Sequence, residues 1–188
     1  APLFAARRKG LVFPVSNVIT ADEVINLTGA TSAALSITMA ETFWSRSKYA
    51  VVVNDGDYEN ALQGSALASL LSAPLLYLTG SNTGELSNLL TKLSVEKVVT
   101  VGTGFPKVYG ATDSVGGANQ VATWVNNEGL EVNYLAVANS DDIGFIETAA
   151  APKMSLTAPL FAARRQGLVF PVRNVINSDE VINLTVAT

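Results

Sequence analysis

The sequence predicts an α/β protein in which parallel sheets are covered by helices, and three observations carry that prediction. Short β-branched runs alternate with helical patterns along the chain, the arrangement that builds βαβ units. The apolar runs show no clear polar alternation, as strands buried on both faces do not. The chain also repeats itself: Ala1 to Thr31 and Ala158 to Thr188 agree at 26 of 31 positions without a gap, differing only at Lys9/Gln166, Ser16/Arg173, Thr20/Asn177, Ala21/Ser178 and Gly29/Val186. Repeats of this length belong to modular architectures, which build surfaces, fibres and binding scaffolds more often than single active sites.

The strands are predicted at Leu11–Val15, Ala50–Asn54, Leu75–Leu78, Lys97–Val101, Val132–Ala138 and Leu168–Val172, each rich in Val, Leu or Phe and bounded by turn formers. Helices are predicted at about Ala33–Arg46, Tyr58–Ser72, Gly84–Leu93 and Gly116–Asn127, with broken ones through Asp142–Arg165. Thr20-x-x-Glu23, Asn82-x-x-Glu85 and Asn177-x-x-Glu180 have the spacing of capping boxes and so read as helix starts. Gly102, Gly104 and Pro106 end the strand before them in a loop. Residues 50–101 should therefore form a strand–helix–strand–helix–strand unit with all strands parallel.

A second, weaker repeat lies inside the first. Gly29-Ala30-Thr31, Trp44 and Ala50–Asn54 recur as Gly110-Ala111-Thr112, Trp124 and Leu135–Asn139, at offsets of 81, 80 and 85. The chain divides accordingly into a partial sub-repeat at 1–49, a complete one at 50–131, and a partial one at 132–188 whose segment 158–188 duplicates 1–31. Each duplicated end wants the same neighbours. Either the fold offers two equivalent slots, or one copy leaves an apolar strand, Leu11–Val15 or Leu168–Val172, at an open edge where another molecule can pair. Pro14 and Pro171, able to blunt such an edge, favour two filled slots in one chain.

Composition narrows function by exclusion. Apolar residues make up 48% of 188, ample for a packed core. The chain has no cysteine and no histidine, which removes disulfide frameworks, thiol catalysis and the ordinary ligands of zinc, haem and iron–sulfur clusters. A net charge of −4 without a basic block argues against nucleic acid as partner. The longest apolar stretch, Ala66 to Leu78, is too short and too rich in Ser, Ala and Pro to span a bilayer, and no export signal is legible.

Val51 to Gly104 resembles the cell wall-binding repeat of type 2. In that family a strand ends in a polar loop, an Asp-Ala-Leu helix start leads through Ala-Pro into a Leu-Leu-Thr strand, and a further helix precedes a strand ending in Val-Gly-Gly. The matching residues are Asn60-Ala61-Leu62, Ala73-Pro74-Leu75-Leu76, Leu78-Thr79 and Val101-Gly102. Leu27 to Thr31, leading to Ala40-Glu41, is similar to the family's Gly-x-x-Arg-Tyr-x-Thr-Ala opening but lacks the Arg-Tyr pair. The first Asp of Asp-Ala-Leu and the second Gly of Val-Gly-Gly are also replaced. The resemblance implies Rossmann-like α/β modules used in multiples outside prokaryotic cells to hold a surface protein on wall polymer.

The chemistry-bearing motifs are few. Asn54-Asp55-Gly56-Asp57 has the Asp-x-Asp spacing and glycine of a calcium loop without the distant bidentate Glu, and Asn139-Ser140-Asp141 follows the equivalent strand. Both fall at strand carboxyl ends, where parallel sheets bind ligands. Asn54, Asp55, Asp57, Asn139 and Asp141 therefore either cap the next helix or hold a weakly bound cation or sugar. Gly102-Thr103-Gly104 lacks the third glycine of a dinucleotide loop and reads as a turn. No Gly-x-Ser-x-Gly elbow exists, and no histidine could serve as base. Arg7, Arg8, Arg164 and Arg165 close helices, where they suit the carboxyl end of the dipole, or bind an anionic polymer once per repeat. Trp44 and Trp124, on helices among apolar neighbours, read as core rather than sugar platforms. Asn26 and Asn183 open Asn-Leu-Thr sequons for N-glycosylation. These features predict a non-catalytic, cofactor-free repeat module, and the resemblance implies that it is extracellular, with cell-wall polysaccharide or copies of itself as partner. The rival readings are a self-assembling filament or surface-layer subunit, and a sugar- or nucleotide-binding α/β protein.

Overall fold

A computed structural model describes residues 27–106, 112–139 and 158–172. Its elements run α1 (Ser32–Phe43), β1 (Tyr49–Asn54), α2 (Tyr58–Leu71), β2 (Leu75–Leu78), α3 (Thr83–Lys92), β3 (Lys97–Val101), β4 (Thr112–Val115), α4 (Ala118–Asn127), β5 (Tyr134–Asn139), α5 (Ala158–Arg165) and β6 (Gly167–Val172). Four strands form one sheet in the order β2-β1-β3-β4, and β5 and β6 form a second. Every pair is parallel. The α/β class is thus as the sequence predicts, and residues 50–101 form the expected strand–helix–strand–helix–strand unit.

The alternation hidden inside the apolar runs decides which helix covers which face. Ala50 and Val52 of β1 point with Leu76 and Val98 into a cluster closed by Ile37 and Ala40 of α1 and Leu86, Leu89 and Leu90 of α3. Val51 and Val53 point the other way with Val99 and Val101, under Ala61, Leu67 and Ala68 of α2 and Val121, Trp124 and Val125 of α4. Strands covered on both faces need no polar side, which explains the uninterrupted Ala-Val-Val-Val. A third cluster joins Leu62 and Ala66 on the far side of α2 to Ala158 and Ala162 of α5, Ala136 of β5 and Val169 of β6. Residues 61 to 68 of α2 are therefore all buried, as befits a helix packed between two sheets.

Local signals set several boundaries. Thr31 caps α1, its Oγ1 accepting from the Ala34 amide at 3.1 Å. Ser72 adopts a left-handed φ of 56° at the end of α2, its N–H reaching the carbonyls of Ala68 and Ser69, and Pro74 prevents continuation. The capping box expected at Asn82 does not form. Asn82 makes no side-chain cap bond to α3; its Oδ1 accepts from the Thr79 N–H at 2.8 Å and its Nδ2 donates to the Tyr77 carbonyl at 2.9 Å. Because β2 is an edge strand, Tyr77 turns its polar groups away from β1, and Asn82 serves one of them. The Tyr77 N–H donates to Ser36 Oγ of α1 at 3.2 Å, so both are satisfied by side chains and the edge is closed to further strands. The structure also adds β4, whose Thr-Asp-Ser-Val carries no strand signal, and begins α4 at Ala118 rather than Gly116. Leu11–Val15, Thr20, Glu23, Asn177 and Glu180 lie outside the described residues.

The two tryptophans do not sit alike. Trp124 lies within α4, buried, its ring edge-on to Tyr49 and its Nε1 donating to Asp113 Oδ2 at 2.8 Å. Trp44 is the residue after α1, extended and partly buried, with Nε1 donating to the Ser72 carbonyl at 2.8 Å. Both pack on apolar clusters.

Around Trp124 a polar group joins β1, β3, β4 and the end of α4: Lys97 Nζ of β3 lies 2.7 Å from Glu128 Oε1 and 3.5 Å from Asp113 Oδ2, and the Tyr49 hydroxyl donates to Glu128 Oε2 at 3.0 Å. The Lys97 hydrogen bond, seconded by Tyr49, holds the Glu128 carboxyl below its ordinary range. The same bond, seconded by the charge of Asp113, raises Lys97. A carboxyl lowered on folding contributes stability above its unfolded pKa and loses it as pH falls through the folded one; a raised amine contributes below its unfolded pKa and loses it as pH rises through the folded one. The group is thus intact at neutral pH. Glu128→Gln is expected to flatten the acid limb of stability measured by urea unfolding between about pH 6 and pH 3. Parallel acid limbs for variant and parent would show that Glu128 is not linked to folding.

Candidate functional site at the strand switch point

In an open parallel sheet the natural ligand crevice lies where the strand order reverses, at the carboxyl ends of the strands. Here β1 is followed by β2 on one side and β3 on the other, so the crevice falls between the loop after Asn54 and the loop after Val101. The first loop turns tightly: the Asp57 N–H donates to the Asn54 carbonyl at 3.2 Å, the Asp55 N–H to the Leu78 carbonyl at 2.8 Å, and Gly56 takes φ +83°. In the second loop Gly102 donates to the Val115 carbonyl at 2.8 Å and takes φ +116°.

The side chains of the crevice are engaged with each other. Asn54 Nδ2 donates across the gap to the Thr103 carbonyl at 2.9 Å. Asp57 caps α2, one oxygen accepting from the Asn60 amide at 3.2 Å and the other from Asn60 Nδ2 at 2.7 Å. The Asn60 amide in turn leans over Gly102, where a Cβ would stand 3.0 Å from Nδ2. Asp55 is exposed, and burial, then the charge of Asp55, then Tyr58, raises the Tyr77 hydroxyl. Among the described residues no three acidic groups gather as a metal site would require. Among the described residues the element that follows Gly104 is the strand β4 rather than a helix, so none of them forms the helix start that seats a pyrophosphate. Among the described residues, the arrangement can offer a surface ligand Asp55, Tyr58 and backbone groups.

The remaining predicted residues are spread apart. Asn139 ends β5 as Asn54 ends β1. Arg164 and Arg165 are exposed at the end of α5, and Arg165 Cζ lies 5.4 Å over the Tyr134 ring, at the start of β5. Five residues of strand, about 17 Å, thus separate this pair from Asn139. Arg7, Arg8, Asn26, Asp141 and Asn183 lie outside the described residues. Sequence reasoning missed Asn60, although Asp57-x-x-Asn60 is the spacing at which a cap can also bond the N3 side chain. Asp57→Ala is expected to cost about 0.5–2 kcal/mol of unfolding free energy in urea titration, and more than Asp55→Ala; equal small effects would remove the capping role.

The fold and crevice define a doubly wound parallel α/β protein whose switch-point loops are bridged by their own side chains. No known family and no curated protein matches the chain by sequence. Among solved structures it is similar to Cwp6 from Clostridium difficile, with a TM-score of 0.59 at 17% identity, over 87% of this chain and 29% of that one. The chain thus spans under a third of the length of the protein it matches, and the likeness is one of fold. Among the described residues no helix is long and apolar enough to cross a membrane.

Proposed function

We propose that this chain is a non-catalytic repeat module of a prokaryotic cell-surface protein, acting outside the cell by binding a wall polymer or neighbouring modules. The observation that carries the reading is the fold likeness, over 87% of the chain, to the cell wall protein Cwp6. The crevice is compatible with it: Asn54 and Asp57 are engaged with Thr103 and Asn60, and of the acidic pair in the loop Asp55 alone is left exposed. The type 2 repeat resemblance of Val51 to Gly104 points the same way.

The test is co-sedimentation of the purified chain with prokaryotic walls before and after extraction of their secondary anionic polymers. Pelleting with intact walls that disappears on extraction is the expected result. No pelleting at low salt, together with a nucleotide-dependent rise in melting temperature, would replace this reading with a ligand-binding enzyme or carrier. Millimolar calcium is expected to leave the melting temperature unchanged, since Asp57 is committed to α2; a rise abolished by Asp55→Asn would restore the cation loop.

A further inference from the structure

Aromatic rings at the amino ends of the first sheet's strands already hold cations of the chain. Lys48 Nζ lies 5.0 Å over the Tyr49 ring before β1, and Lys97 Nζ at the start of β3 lies 5.9 Å from the centre of the Trp124 ring. Tyr134 of the second sheet carries Arg165 in the same way. At the carboxyl ends of β1 and β2 stand Tyr58 and Tyr77, and among the described residues no cation lies over either ring. The basic residues described between 27 and 128 are Arg46, Lys48, Lys92 and Lys97, all of which precede or open a parallel strand, so none of them reaches the opposite end.

Strand pairing brings Asp55, Tyr58 and Tyr77 together. Val53 is in register with Tyr77 and Asn54 with Leu78. The Asp55 N–H donates to the Leu78 carbonyl at 2.8 Å, which folds the loop after β1 over the end of β2. Tyr77 packs with Val53 on the cluster beneath α2, whose first residue is Tyr58. Burial, then the charge of Asp55, then Tyr58, raises the Tyr77 hydroxyl, as this closeness requires. Tyr58 is 44% exposed and Asp55 is exposed. Among the described residues neither the Asp55 carboxylate nor the Tyr58 hydroxyl takes part in a hydrogen bond or an ion pair.

A carboxylate flanked by two phenol rings, without a basic neighbour, repels phosphate and attracts an ammonium group through its charge and through the ring faces. The exposed ring also offers an apolar surface to the C–H face of a sugar. We propose that Asp55, Tyr58 and Tyr77 form a subsite for a protonated amino sugar of the wall polymer. The source of the sugar rests on the wall-binding reading above; the chemistry of the subsite does not. The ammonium group meets the Asp55 carboxylate and the face of Tyr58, and the Tyr77 hydroxyl accepts a further N–H. A divalent metal asks for several carboxylates and oxygen ligands at once, whereas an ammonium group is served by one.

Ring-carbon NMR on the full chain tests this with glucosamine and, for the same ring without the charge, N-acetylglucosamine, at a mildly acidic pH where the glucosamine amine is protonated. Glucosamine is expected to shift the Tyr58 and Tyr77 signals saturably and N-acetylglucosamine to leave them in place. Tyr134 is the internal control: it is 43% exposed, as open as Tyr58, but its ring already carries Arg165 and should not move. Tyr58→Leu, which keeps an apolar side chain at the start of α2, is expected to weaken glucosamine about two- to fivefold, the worth of an exposed cation–π contact. Asp55→Asn should weaken it further. Urea unfolding checks that both variants stay folded; if Tyr58→Leu does not, Asp55→Asn decides alone. No shift with glucosamine, equal shifts with its N-acetyl form or at Tyr134, or an Asp55→Asn variant that binds as the parent does would each overturn the proposal. Acetylating the free amines of purified walls is expected to reduce pelleting of the parent to the level of Asp55→Asn. Undiminished pelleting with acetylated walls would overturn the subsite and leave wall binding standing, while glucosamine shifts without any pelleting would keep the subsite and remove the wall.

Discussion

Leu67→Ala is expected to lower the free energy of unfolding by about 2–5 kcal/mol, read from urea denaturation with the slope unchanged. Leu67 is fully buried on α2 and belongs to the cluster with Val51, Val53 and Val99. What sets the size of the loss is how far the surroundings can close over the vacated volume. Strand valines are held to restricted χ1 rotamers and cannot swing inward. Nor can α2 settle toward the sheet, because its opposite side is locked to α5 and β6 through Leu62 and Ala66. Since small domains are stable by only about 5–15 kcal/mol, this single truncation removes a large share. Leu70, only partly buried against the same cluster, provides the comparison: its alanine variant should lose distinctly less. Equal losses, or a loss under about 1 kcal/mol at Leu67, would mean that α2 is free to repack.

What the sequence revealed and what it hid divide along a physical line. The strands Leu75–Leu78 and Lys97–Val101 were legible to the residue because burial on both faces demands apolar runs and because Pro74 and Gly102 punctuate them. Asp57 was legible as a cap because capping is local. β4 was not: two of its four residues are exposed, and its strand conformation comes from pairing with β3 rather than from propensity. Asn82 had the right spacing for one local role and took another, because the edge of β2 offered its amide better partners than the first turn of α3. Lys97, Asp113 and Glu128 are scattered in sequence and meet only once β3, β4 and α4 assemble. The same holds for the Asn54–Thr103 bridge across the switch point. Contacts between neighbours in space but not in sequence leave no periodic trace for a single chain to display.

The second large effect is expected at Gly64, where α2 lies close against β1. A Cβ there would stand 2.6 Å from Val53 Cγ1, and 3.4 and 3.5 Å from Leu75 Cδ1 and Val51 Cγ1. The first distance is well inside contact, and the offending atom is the branch of a fully buried valine with no freedom to rotate away. Two effects oppose each other in Gly64→Ala. Alanine gains roughly 1 kcal/mol of helix propensity over glycine, while forcing extra volume into a packed core costs about 1–3 kcal/mol. The net expectation is a loss for alanine, and a loss at or beyond the upper end of the overpacking range for Gly64→Leu, which adds volume with no further gain in propensity. Val53→Ala removes the obstructing branch, so it should be much less harmful in the Gly64→Ala background than in the parent. A double-mutant cycle in urea should return a coupling above about 0.5 kcal/mol in that favourable direction. Additive losses would mean that α2 shifts away from the sheet to admit the methyl group, and that close approach at Gly64 does not position the helix.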